Sequence, residues 1–100
     1  MDSAQIRAAI NGQAHELREA GLSAVYLFGS RARGDAREDS DIDLAFDVAE
    51  EANDDFSLLD QARLMLRLQE LFGRKVDLVE RRAFRPRIRQ RVEAEMMRLL

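Results

Sequence analysis

Apolar residues fall along the chain in six groups, three at helical and three at strand spacing. Ile6, Ile10, Ala14 and Leu17 recur at helical intervals behind Asp2 or Ser3, either of which can cap a helix, and before Gly21, which ends it. AVYLF, residues 24–28, is a short β-favouring run closed by Gly29 and predicts a buried strand. Residues 31–40 are polar and form a connection with room for one helical turn. From Asp41 the pattern alternates: Ile42, Leu44 and Phe46 share one face and Asp41, Asp43 and Ala45 the other, which is a strand. An acidic loop, VAEEANDD, leads into FSLLDQARLMLRLQELFG, residues 56–73, a helix whose broad apolar face carries Leu58, Leu59, Ala62, Met65, Leu66 and Phe72, with Gly73 as its C-cap. KVDLV, residues 75–79, is a third strand. Pro86 then suits the first turn of a last helix with Ile88, Val92, Met96 and Leu99 as its stripe.

The order helix, strand, strand, helix, strand, helix predicts an α/β (α+β) fold: a small mixed three-stranded sheet, strand order 1-2-3, flanked by helices. The helical crossover between the second and third strands makes them parallel. The ten-residue link between the first two permits an antiparallel pair. Gly29 and Ser30, ending strand one, then lie beside Asp41 and Asp43 at the start of strand two. Asp77, near the start of the third strand, can reach the same edge.

Composition narrows what such an edge can do. One hundred residues make a single domain, 1–100, with no room for a separate substrate domain, so a large acceptor must be another molecule. No cysteine and one histidine exclude a disulfide framework, a zinc ribbon and a His-rich metal site. His15 sits off the first apolar stripe and reads as a surface or half-buried side chain. No apolar run approaches the length of a membrane span and the N-terminus has no leader pattern, so the expected compartment is the cytoplasm. The net charge of −3 conceals an asymmetry. Between Asp35 and Asp60 stand eleven acids and the single basic residue Arg37; from Arg81 to Arg91 stand six arginines and no acid. The arginine run and the last helix are a candidate docking surface, with Arg87 and Arg89 as the residues to reverse.

Asp41 and Asp43 project from one strand face about 7 Å apart at Cα. Such a pair can grip one divalent cation or bridge two, as phosphoryl and nucleotidyl transfer require, and the cations offset the repulsion between the carboxylates. Mg²⁺ suits a site of aspartates without nitrogen ligands. Asp77 can hold a second metal or accept the proton of an attacking hydroxyl. Gly29 lets a triphosphate approach the backbone, Ser30 offers a hydroxyl and an N–H, and Arg31 and Arg33 can reach a leaving pyrophosphate.

GSRARG (29–34) followed by SDIDL (40–44) resembles the paired motif of the polymerase-β-like nucleotidyltransferase superfamily, and the short chain resembles its minimal nucleotidyltransferase branch. The resemblance implies that Gly29 and Ser30 hold nucleotide phosphates, that Asp41 and Asp43 bind two Mg²⁺ ions, and that Asp77 is the third carboxylate. It also implies the antitoxin half of a toxin–antitoxin pair, whose partner is a helical HEPN toxin and whose reaction moves AMP from ATP to a toxin tyrosine.

Other readings are weaker. Asp39, Asp41, Asp43, Asp47 and Glu50 fall at calcium-loop spacing, but Leu44 stands where the loop needs glycine. An ATPase phosphate loop needs Gly-Lys-Ser or Gly-Lys-Thr, and the only lysine is Lys75. A negative chain with its aromatics in apolar runs is a poor nucleic-acid module. A non-catalytic antitoxin that masks its toxin, and transfer to a small molecule, remain as alternatives of different class.

Overall fold

The computed structural model describes residues 1–100. Its elements are α1 (Ser3–Gly12), α2 (Ala14–Glu19), β1 (Leu22–Phe28), α3 (Ser30–Arg33), β2 (Ile42–Val48), α4 (Leu58–Phe72), β3 (Val76–Glu80), α5 (Pro86–Glu95) and β4 (Met97–Arg98), with 3₁₀ turns over Glu50–Ala52 and Arg81–Ala83. The sheet order is β3-β2-β1-β4. β1 and β2 run antiparallel and β2 and β3 parallel, as the connection lengths require.

Two predicted helices end differently. The first is broken at Gln13 (φ −106°, ψ 11°), because Asn11 and Gly12 are poor helix formers and release the chain from the helical path. The last stops at Glu95, and the sheet has four strands rather than three. Met96 turns extended (φ −71°, ψ 150°), and Met97 and Arg98 pair antiparallel with Leu27 and Tyr26. β1 would otherwise present an unpaired edge, and satisfying its backbone outweighs one more helical turn. Leu99, predicted on the helical stripe, instead donates its N–H to Val25 O at 2.7 Å and fills the core.

The core lies on one face of the sheet. Ile6 and Ile10 of α1, Leu17 of α2 and Leu64, Leu68 and Phe72 of α4 close over Val25, Leu27, Ile42, Leu44, Phe46, Val76 and Leu78. α4 begins in a capping box, where Ser57 and Asp60 satisfy each other's backbone N–H groups, and ends at Gly73 in a left-handed conformation. It buries the Leu64–Leu68–Phe72 stripe, not the wider face read from the sequence. Leu58, Leu59 and Leu66 point outward. Leucine occurs nearly all around this helix, so composition could not choose the face.

The segment following β3 is fastened to the other side of the sheet. Phe84 meets Phe28 edge-on at 5.5 Å between ring centres. Asp47 accepts hydrogen bonds from the Tyr26 hydroxyl at 2.9 Å and from Arg81 Nε at 2.8 Å. Arg81 also reaches Glu93, which pairs with Arg89, so α5 is tied down through its own second half.

Candidate active site

Three strand positions bring the predicted carboxylates to one edge. Phe28 of β1 pairs with Asp43 of β2, and Asp43 pairs with Asp77 of β3. Because side chains alternate on a strand, Asp43 and Asp77 point away from the core on the same face. Asp41 lies just before β2, and its nearest cation is Lys75 at 3.9 Å.

Gly29 is the hinge between β1 and α3. Its torsions (φ 75°, ψ −156°) belong to a region open in practice only to glycine. Its α-carbon packs against the Asp43 carboxyl group: a Cβ built there would collide with Oδ2 and lie 3.1 Å from Cγ. The glycine turn and the carboxylate are therefore in direct contact. Ser30 opens α3, and its carbonyl accepts the N–H groups of Gly34 and Asp35 at 2.9 and 3.0 Å. Gly34, also at positive φ, closes this single turn.

Burial pushes the Asp43 carboxyl up to about 6, helped by hydrogen bonding with Asp77 and by the charges of Asp77 and then Asp41; Arg33 opposes the rise. The site is thus short of positive charge. No three acidic or histidine side chains are gathered closely enough to enclose one ion. What stands there is an Asp43–Asp77 pair with Asp41 at its margin. Two carboxylates that leave most coordination positions to phosphate oxygens and water fit Mg²⁺, so the donor set suits the ion. These aspartates line none of the chain's five cavities.

The two arginines of the motif part company. Arg33 is half-exposed beside the site and bridges Asp35 and Glu95, each at 3.2 Å, linking α3 to α5. Arg31, expected on a pyrophosphate, is 5% exposed and gives both terminal nitrogens to backbone carbonyls. Its terminal nitrogens are thus engaged by the chain's own backbone, while those of Arg33 stand at the surface. The sequence reading also missed the Tyr26–Asp47–Arg81 clamp. Its members are 21 to 55 residues apart, and no local signal joins them.

Residues 10–99 match the nucleotidyltransferase domain family. The protein adenylyltransferase MntA of Thermococcus cleftensis is 35% identical over 94 residues, 93% of this chain and 91% of its own. Among solved structures, one described as a candidate minimal nucleotidyltransferase superposes with a TM-score of 0.79 at 41% identity, covering 97% of this chain and 95% of its own. A toxin–antitoxin complex with AMP-PNP gives 0.74 at 27% identity, covering 94% and 72%. A tri-AMPylated HEPN toxin from Shewanella oneidensis bound to its MNT antitoxin gives 0.67 at 25%, covering 94% and 71%.

Proposed function

The chain belongs to the nucleotidyltransferase domain family, and on that premise we propose that it is an antitoxin that moves AMP from ATP to a tyrosine hydroxyl of a helical HEPN partner. The observation that carries this reading is the contact between Gly29 and Asp43, with Asp77 in register beside it. It joins a glycine turn able to receive a triphosphate to carboxylates able to hold the cations a triphosphate brings. AMPylation of a HEPN toxin beside a related antitoxin supports AMP as the transferred group and a HEPN protein as the partner.

In the proposed reaction Gly29 admits the triphosphate to the backbone, and Ser30 and Arg33 orient its oxygens. Asp43 and Asp77, with Asp41 at the margin, would hold Mg²⁺, which when bound neutralises the phosphates and polarises the α-phosphorus. The acceptor oxygen bonds to that phosphorus, the bond to the β-phosphate oxygen breaks, and pyrophosphate leaves. Asp77, the exposed member of the pair, takes the acceptor's proton. Positioning and charge neutralisation are what the protein must supply.

Intact-mass analysis of the partner after incubation with this protein, Mg²⁺ and each nucleoside triphosphate in turn tests the reading. An added AMP mass with ATP, absent with Asp41→Ala and Asp43→Ala, is the expected result. A tight complex with no mass change would transfer the case to neutralisation by masking.

The basic segment is the proposed docking surface, with altered membership. Arg81 and Arg89 are engaged by Asp47 and Glu93, whereas Arg82, Arg85, Arg87 and Arg91 are exposed and unpaired. Arg85→Glu with Arg87→Glu should weaken partner binding at least about tenfold and flatten its salt dependence, while Arg89→Ala does neither. Binding titrations at two ionic strengths check this.

A further inference from the structure

Arg31 is the one charged residue buried in the chain, and it has no carboxylate partner. Burying a charge unpaired is expensive, and a guanidinium does not escape by losing its proton. Backbone dipoles take the place of a counter-ion. Nη1 donates to Met1 O at 2.7 Å; Nη2 donates to Ser40 O at 2.6 Å and Glu38 O at 3.2 Å, with Arg37 O at 3.5 Å. Nε is left without a partner.

The position of these bonds in the chain is informative. Arg31 directly follows Ser30, and Ser40 directly precedes Asp41. The segment between is otherwise lightly held. A turn joins Ser40 to Arg37 through N–H···O at 3.0 Å and N–H···Oγ at 2.9 Å, and Arg74 bonds the Glu38 carbonyl. Beyond it, Ile42 N–H donates to Lys75 O at 3.0 Å and begins the pairing that aligns Asp43 with Asp77. One planar fork thus spans from the turn at Gly29–Ser30 to the backbone that presents Asp41.

We propose that Arg31 is a positioning residue for nucleotide and metal binding, a strut that fixes the start of β2 against the Gly29–Ser30 turn and so sets the separation of Asp41 from that turn. The proposal rests on the transferase reading above. Phosphate contact falls to Arg33, the motif arginine that is half-exposed beside the site. Lysine cannot replace the strut, because a single ammonium does not span carbonyls at 37, 38, 40 and 1 with fixed geometry.

The test compares native protein, Arg31→Lys, Arg31→Met and Arg33→Ala by three measurements: Tm, calorimetric affinity for a non-hydrolysable ATP analogue with Mg²⁺, and amide exchange over residues 34–42. Arg31→Lys keeps the charge and the stem and remains the folded variant if Arg31→Met does not fold. The expected result is faster exchange confined to that segment and a loss of affinity of about tenfold at saturating folded protein, with Arg33→Ala losing affinity but leaving exchange unchanged. Loosened exchange with native affinity would reduce Arg31 to a structural role and overturn the proposal. Lost affinity with native exchange would make it a direct ligand and overturn it equally. Native protein that binds no nucleotide overturns the transferase reading instead, an outcome visible before any variant is compared.

Discussion

An Asp43→Asn protein should melt at a higher temperature than the native chain at pH 7 while transferring no nucleotide. The carboxyl of Asp43 is pushed from its ordinary 3.8 to about 6 by burial and by the neighbouring acids, so its ionised form strains the fold. Below pH 3.8 the folded and unfolded chains both hold the proton, and the stability is fully present. As pH rises the unfolded chain releases the proton first; stability falls through this interval and is lost once pH passes about 6. Taken at face value the displacement amounts to about 3 kcal/mol. Asp43 is only half-buried, and solvent screening reduces the expected effect to about 1 kcal/mol, or roughly 4–8 °C in Tm for a chain of this size. Asparagine does not titrate, so the gain should vanish near pH 4. Mg²⁺ should raise the Tm of the native protein at pH 7 and not that of the variant. Losing a ligand that holds charge-neutralising metal should lower transfer by about 10³-fold or more. Melting curves at pH 4 and 7, with and without Mg²⁺, decide it; equal Tm for both proteins throughout would remove the strained carboxylate from the account.

Gly29→Ala should be the most damaging exchange of a single hydrogen for a methyl. The new Cβ meets the Asp43 carboxyl and the backbone sits at φ 75°, so both the turn and the carboxylate must move. A loss of about 1–3 kcal/mol in stability follows from the torsions alone. Displacing the carboxylate by about 1 Å should cost transfer on the order of 10²-fold. Gly34→Ala is the matched control. Gly34 also has positive φ (84°), but nothing lies within 4 Å of its Cβ position. It should lose stability to a similar degree and keep transfer in the folded protein. If the two variants, compared per folded molecule, are equally inactive, the specific contact with Asp43 is not what matters.

Much of this edge was legible because its signals are local. Alternation from Asp41 put Asp43 on the face away from Phe46, and a crossover helix of helical period placed Asp77 on a parallel neighbour. Glycine before a polar turn marked the hinge. The burial of Arg31 was not legible, because two arginines in one helical turn look alike in sequence; it depends on carbonyls of residues 37–40 and of Met1, which converge only in the folded chain. β4 was missed for a similar reason. Val92, Met96 and Leu99 have helical spacing, and the preference for a strand at Met97 comes from the open edge of β1, about seventy residues earlier.

That last pairing bears on the chain's birth. β1 is an interior strand whose outer partner is Met97–Arg98, so a nascent chain that has emerged only through α5 carries a bare β edge beside a nearly complete sheet. Its hydrogen-bonding groups are then free to recruit another strand from a neighbouring polypeptide. Only the passage of residues 97–100 from the ribosome seals it, when Leu99 enters the core and its N–H meets Val25. A chain cut between α5 and β4 would therefore keep Asp41, Asp43 and Asp77 and yet be prone to clump.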